Sequence, residues 1–286
     1  MGLSTTYTKA ETDYLLQELR SETLYNDDTL AGDILKRVDK ITGEDVNYKE
    51  FNFNNDLEDG AVYTEIGGKK VKRQFTGSLK ASWYGVSGNG ITDDSAALKN
   101  AIDAAIRTGY DLEIDGTVYL ANTVDINRLV DAGQFDEFFT IFSASGASFY
   151  TDKDNFTMFG SSLPYDGNNP NTQLILFKNI GFKTNNQQLN TYVIDGRKYL
   201  RTQFNNCSFS KIRAFDTQGK YCQSIYFFNC NIRRTSGEFV KSDNVTFDFK
   251  MHGCLVEQGD TALYLLYPLL NYSYILFLRL HLRKHR

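Results

Sequence analysis

Four segments of the chain repeat one pattern at a near-constant interval. They are Phe177-Lys-Asn-Ile-Gly-Phe182, Phe204-Asn-Asn-Cys-Ser-Phe209, Phe227-Phe-Asn-Cys-Asn-Ile232 and Met251-His-Gly-Cys-Leu-Val256. Their starts at 177, 204, 227 and 251 are 27, 23 and 24 residues apart. A period of this length describes one supersecondary unit stacked on copies of itself. In register, the third position holds Asn179, Asn206, Asn229 and Gly253, and the next holds Ile180, Cys207, Cys230 and Cys254. Apolar positions alternate with polar ones on both sides of the Asn, so each unit reads as strand, sharp bend, strand. Asn tolerates the left-handed backbone of a bend, and Gly takes its place in the last unit without steric cost. Stacked Asn side chains can also hydrogen-bond along the stack.

Coils of this length with an inward ladder and a bend are those of a parallel β-helix. Leucine-rich repeats are the nearest rival, but they need a regular Leu pattern with helical filler, which this chain lacks. Short β segments with no helix between repeats argue against an ordinary βαβ sheet. The composition agrees. Of 286 residues, 41% are apolar, which fills a sizeable core, and 21 Phe and 18 Tyr raise the aromatics to 14%. Only 3 Pro interrupt the backbone ladders. A net charge of −4 with no basic excess speaks against nucleic acid as a partner.

The 4 cysteines are Cys207, Cys222, Cys230 and Cys254, and none forms a C-x-x-C pair, so neither a zinc site nor any other metal is indicated. No cofactor motif is present either. Rungs of a parallel sheet lie about 4.8 Å apart with like side chains pointing the same way. A disulfide wants converging Cβ atoms about 3.8 Å apart. Cys207, Cys230 and Cys254 are therefore expected as buried free thiols, in keeping with a reducing cytoplasm during folding.

Residues 1–45 read as a helical region. Thr8-Lys-Ala-Glu11 forms a capping box ahead of Leu15, Leu16 and Leu19. A second helix is expected after Asp28 from the spacing of Leu30, Ile34, Val38 and Ile41, with Gly43 as its stop. Residues 46–80 form a connector, with a hairpin over 61–75 that turns at Gly67-Gly68. The β-helix is assigned to 81–262, with a capping helix over 93–108 whose apolar face is Ala97, Leu98, Ala101, Ile102 and Ala105. Trp83, Gly88, Gly90, Asp93 and Asp94 are assigned structural roles: a tight glycine turn and N-cap oxygens for that helix. A phosphate-binding turn is disfavoured there, because the adjoining acids would repel the anion and no P-loop Lys follows. Strands are expected over 112–114, 117–120, 138–142, 147–150 and 156–159.

The segment Trp83-Tyr-Gly-Val-Ser-Gly-Asn-Gly-Ile-Thr-Asp-Asp-Ser-Ala-Ala-Leu98 closely resembles the opening of pectate-lyase-like β-helix domains in bacteriophage and prophage tail spikes. With the repeats, the resemblance covers roughly residues 60–265. It implies a right-handed, single-stranded parallel β-helix in a homotrimer. It also implies a place in the virion tail, or in the host cytoplasm before assembly, and attachment to other tail proteins through the N-terminal region. The role implied is binding of a bacterial surface polysaccharide and often its cleavage, by glycoside hydrolysis or β-elimination. A non-catalytic adhesive or structural tail fibre is the alternative, and a cellular pectate-lyase-like enzyme the third reading. The N-terminus lacks the basic and apolar regions of a secretory signal peptide, which counts against the third.

The resemblance carries over no catalytic motif. The register itself selects candidates. One place beyond the last apolar position stand Lys183, Ser210, Arg233 and Glu257, an outward ladder. A second stack is expected to bring Asp195 near Asp216, with Glu238 close by. Carboxylates one rung apart suit the ~5–5.5 Å spacing of a retaining glycosidase better than the ~6.5–9.5 Å of an inverting one. A lyase needs a base and a cation instead, roles that Glu257 and Arg233 could take. From residue 263 the pattern fails. Residues 263–278 carry no charge and 279–286 are basic. This tail is read as a truncated or out-of-register end of the β-helix rather than a membrane span, since Pro268, Asn271 and the tyrosines suit a span poorly.

Overall fold

The computed structural model describes residues 34–39, 42–51, 53, 55–127, 138–162, 174–185, 190–195, 201–216, 222–233, 238–242, 246–257 and 261–265. The chain divides into two compact units, residues 1–76 and 77–286. The capping box at Thr8 and the leucines after it lie outside the described residues.

In the first unit, β1 (Ile34–Val38), β2 (Asp45–Glu50), β3 (Tyr63–Ile66) and β4 (Lys69–Arg73) form an antiparallel sheet in the order β1-β2-β4-β3. The hairpin expected over 61–75 is β3–β4, and Gly67 and Gly68 both take positive φ at its turn. The helix expected across Ile34 and Val38 is not formed; β1 pairs with β2 instead. A spacing of four residues satisfies a helical face and a strand face alike. The burial decides: Ile34 and Val38 are 41% and 55% exposed, while Arg37 is buried. Leu35 packs on a core of Val46, Tyr48, Ile66 and Val71. Arg73, also buried, ion-pairs Asp39 at 2.5 Å and Glu44 at 3.6 Å.

The second unit winds. β5 (Leu79–Lys80) and β6 (Asn89–Asp93) precede α1 (Ser95–Thr108), and strands then follow in threes. The first two coils are β7 (Leu112–Glu113), β8 (Thr117–Tyr119) and β9 (Val124–Asp125), then β10 (Phe139–Phe142), β11 (Ser148–Thr151) and β12 (Thr157–Gly160). Next come β13 (Leu174–Lys178), β14 (Gly181–Thr184) and β15 (Tyr192–Asp195), then β16 (Arg201–Asn205), β17 (Ser208–Ser210) and β18 (Arg213–Asp216). The last two are β19 (Cys222–Phe228), β20 (Asn231–Arg233) and β21 (Glu238–Ser242), then β22 (Thr246–His252), β23 (Leu255–Glu257) and β24 (Thr261–Leu265). Within each coil the first strand joins sheet I, the second sheet II and the third sheet III. All rung-to-rung pairings are parallel, for example β13 with β16, β14 with β17 and β15 with β18. This is the winding of a parallel β-helix. The coiling extends through Leu265, because Val240 pairs with Leu263 and Ser242 with Leu265. β24 thus runs three residues past the 262 expected from the repeat, and 266–286 lie outside the described residues.

Inward side chains stack by type. Phe177, Phe204 and Phe227 occupy one register line, with successive ring centroids 5.3 and 5.1 Å apart and planes tilted by only 11°. Phe149, Phe182 and Phe209 form a second column on sheet II, and Phe177 meets Phe182 edge-on at 5.4 Å. Each fully buried Phe contributes about 1.5–3 kcal/mol, and such ring pairs add about 0.5–1.5 kcal/mol.

The bend between sheets I and II stacks too. Asn179, Asn206 and Asn229 have φ of 57°, 52° and 53°, and Gly253 has 66°. The Asn206 amide donates to Asn179 Oδ1 at 2.8 Å, and the Asn179 amide to the Ser143 carbonyl at 3.3 Å. Beside them, the thiols of Cys207, Cys230 and Cys254 donate to the carbonyls of Phe177, Phe204 and Phe227, each one coil back, at 3.3, 3.3 and 3.5 Å. All three are free cysteines, with Cys207 and Cys230 buried. The sulfur of Cys207, with burial behind it, pushes the Cys230 thiol up to about 12, and Cys230 and then burial raise Cys254 as well.

At the start of the stack, α1 buries Leu98, Ala101, Ile102, Ala104 and Ala105 and packs on β5, β7 and β9. The helix begins at Ser95 rather than 93, and Asp94, though at its N-cap, does not cap it. The Asp94 carboxylate accepts from the backbone N–H groups of Ser87 and Gly88 at 2.7 and 3.2 Å, which closes the glycine turn. Asp93 accepts from Ser95, Ala121 and Asn122. Those donors hold its carboxyl below the usual range despite burial, the largest single influence, which acts the other way. Gly88 (φ 60°) lies so close to the next coil that a Cβ there would sit 2.6 Å from the Asp115 carbonyl oxygen. Gly90 also has positive φ, and Trp83 is buried.

Two outcomes follow from the bend. Asn206→Ala combines a left-handed Ala, at about 1–2 kcal/mol, with the loss of a hydrogen bond of about 1 kcal/mol. Asn206→Gly loses only the hydrogen bond, so urea denaturation should rank Gly well above Ala; equal stabilities would reject the strained-bend account. Iodoacetamide treatment of the native protein, mapped by mass spectrometry, should leave Cys207 and Cys230 unmodified until denaturant is added. Native-state labelling of either would contradict their place in the core.

Candidate functional site

The outward face of sheet II carries the chemistry the structure assembles best. Its strands bring Tyr119, Tyr150, Lys183, Ser210, Arg233 and Glu257 into one register line. The lower four residues were readable from the repeat. Tyr119 and Tyr150 were missed, because the coils before residue 174 lack the Asn motif that sets the frame. Their signal was positional: each follows an inward residue, Val118 or Phe149, by one place.

The two tyrosine rings lie 5.5 Å apart at 36°. The Tyr119 hydroxyl donates to Asp152 at 2.9 Å, and burial followed by that hydrogen bond pushes its phenol up to about 12. Burial and the Asp152 charge raise Tyr150 too. Two places earlier runs a parallel column of small residues: Thr117, Ser148, Gly181, Ser208 and Asn231. Between the columns and the Asn bend lies a groove of about 440 Å³, lined among others by Ser148, Asn179, Gly181, Lys183, Asn206 and Ser208. Gly181 is among the lining residues; a Cβ there would sit 3.2 Å from both Ser148 and Ser208, so the column is tight at this rung.

At the other end of the line, Arg233 Nε donates to Glu257 Oε2 at 3.0 Å and to Asn231 Oδ1 at 3.1 Å. The pair expected on adjacent rungs is formed, with each partner engaged by the other. On sheet III, Asp195 and Asp216 are register partners on β15 and β18. Glu238 does not join them. Asp216 pairs with Lys241, and Glu238 stands three residues earlier on β21, about 10 Å along the strand. The loose alignment of that stack, which has no repeated motif, explains the misplacement. The two candidate sets, Arg233–Glu257 and Asp195–Asp216, thus sit on different sheets. Among the described residues no helix is long and apolar enough to cross a membrane.

No family model matches the chain, and no curated protein matches it. Among solved structures, it is similar to the tailspike protein of Acinetobacter phage vB_ApiP_P1, with 17% identity and a TM-score of 0.49, over 76% of this chain and 44% of that one. It is also similar to the tailspike protein of Acinetobacter baumannii phage AM24, with 11% identity and a TM-score of 0.47, over 86% of this chain and 52% of that one. The chain therefore spans about half the length of these proteins. At such values the likeness adds nothing to the strand registers, on which the fold stands.

Arg233 and Glu257 are 55% and 23% exposed, so solvent screens their attraction. A double-mutant cycle of Arg233→Ala and Glu257→Ala should give a coupling of about 0.2–1 kcal/mol that shrinks in about 0.5 M salt. A coupling of several kcal/mol, insensitive to salt, would show a buried structural pair instead.

Proposed function

We propose that the chain is a phage or prophage tail-spike-type protein whose β-helix binds a bacterial surface polysaccharide along its outward faces. The observation that carries this reading is the register line on sheet II: two tyrosines, a lysine, a serine, an arginine and a glutamate beside a polar groove. Aromatic faces suit the apolar faces of sugar rings, and closely spaced hydroxyls and amides suit their hydroxyl groups. Rungs at a pitch of about 4.8 Å offer the same contact repeatedly to a repeating polymer. The resemblance of residues 83–98 to tail-spike openings supports the context. With it go a homotrimer, attachment through the N-terminal region and a place in the virion tail. A right-handed coil also belongs to this reading, in line with the strong preference of parallel crossovers.

Cleavage is assigned to Asp195 and Asp216, whose rung-to-rung pairing suits a retaining glycosidase. A non-catalytic adhesive fibre is the second reading. It is favoured by the mutual engagement of Arg233 and Glu257, which leaves that pair poorly placed for lyase chemistry. Incubation with capsular and exopolysaccharide panels, followed for new reducing ends and unsaturated uronates, separates the two. On the hydrolase reading Asp195→Asn and Asp216→Asn each lower turnover by about 100-fold or more while binding persists. Binding without any cleavage by the wild type leaves the adhesive reading, and no binding to any glycan rejects both.

A further inference from the structure

We infer that the groove beside the Asn bend is a subsite for a carboxylate-bearing sugar, with Lys183 as its anion anchor; this rests on the glycan reading above. Lys183 stands on β14, partly buried at the groove wall. Its ammonium reaches back two rungs and donates to Thr117 Oγ1 at 3.4 Å. That hydroxyl is itself 3.2 Å from Ser148 Oγ. The cation therefore rests on neutral hydroxyls, with no carboxylate in ion-pair range among the described residues. Three other cations of the same unit do have an acid partner: Lys99 has Asp103 at 2.6 Å, Lys153 has Asp152 at 3.9 Å, and Arg233 has Glu257 at 3.0 Å. A partly desolvated ammonium without a counter-charge gains more from an entering anion than a paired one does.

The surroundings fit a sugar rather than a bare ion. The groove volume, about 440 Å³, lies within the ~300–1,000 Å³ of small-molecule sites. Gly181 keeps the wall beside Lys183 low, in a column otherwise formed by Thr117, Ser148, Ser208 and Asn231. Ser148, Ser208, Asn179 and Asn206 line the same groove and bring hydroxyls and amides to it. Tyr150 is the register neighbour of Lys183 on β11, one rung away. With both phenols raised, the tyrosines stay neutral at physiological pH and do not repel an anion. Asp152, the nearby acid, is held by the Tyr119 hydroxyl and Lys153.

Affinity gel electrophoresis of the full chain with polygalacturonate, alginate or neutral dextran in the gel tests the assignment. The wild type should be retarded by the acidic polymers and not by dextran. Lys183→Gln should weaken that retention at least tenfold, Lys183→Arg should restore most of it, and Ser208→Trp, at an exposed position, should block the groove. Lys99→Gln, on α1 and away from the register line and the groove, serves as a charge-matched control and should bind as the wild type does. Circular dichroism melts confirm that each variant is folded. Undiminished retention of Lys183→Gln and Ser208→Trp, or retention by dextran as strong as by the acidic polymers, overturns the subsite and leaves glycan binding standing. Retention by none of the polymers overturns the glycan reading and the subsite with it.

Discussion

A parallel rung-to-rung ladder places every side chain directly on its counterpart one coil away. Backbone hydrogen bonds fix that translation at about 4.8 Å, and nothing in the side chains can relax it. Everything else in the second unit is an answer to this constraint. Flat rings answer it well: Phe177, Phe204 and Phe227 lie nearly parallel at close to van der Waals distance. Asn answers it at the bend, where its amide both donates and accepts along the axis while its backbone holds a left-handed turn. Thiols answer it in the core, each small enough to stack and able to satisfy a carbonyl of the coil behind.

Charge answers the same constraint on the outside. Like charges on facing positions repel. On sheet II the cations Lys183 and Arg233 are separated by Ser210, and Arg233 is followed by an acid that pairs with it. On sheet III, Asp195 and Asp216 occupy facing positions, and Lys241 follows. Two acids on successive rungs are an arrangement that stacking alone disfavours, which is why the proposed chemistry rests there. Lys183 is the converse case, a cation beside the groove with no acid in ion-pair range among the described residues.

The coils from Phe177 onward were legible because three constraints met at one point: an apolar strand, a left-handed Asn and a small core residue. Their coincidence fixed the frame, and the frame then placed Lys183, Ser210, Arg233 and Glu257 on one line. Where only one constraint operates the frame is lost. The bend before sheet III takes Asn155, Asn190 and Lys211 at positive φ, with no fixed residue type to mark it, so the sequence left the place of Glu238 loose; it stands three positions from the Asp195–Asp216 line. The earlier coils turn without Asn: the first at Gly116 (φ 70°), the second at Ser143 and Gly146, where Ser143 Oγ accepts from the backbone N–H groups of Ser145, Gly146 and Ala147. Those different corners hid Tyr119 and Tyr150. Around Ile34, apolar spacing could not separate helix from strand, because the deciding fact is pairing with β2. Asp94 was misread for a related reason: its partners, Ser87 and Gly88, precede it in the glycine turn, and helix-capping rules look forward.

From each bend residue to the outward line is always four places: 179 to 183, 206 to 210, 229 to 233 and 253 to 257. From one bend to the next the interval changes from 27 to 23 to 24 residues. All of that slack falls on the far side of the coil, between a sheet II strand and the next sheet I strand. Insertions and deletions there leave every stacked column where it was. The molecule thus separates two kinds of evolutionary change: the corner is held by its neighbours above and below, while the opposite side is free to vary in length. A lineage under pressure to meet a new surface can rewrite one without paying in the other.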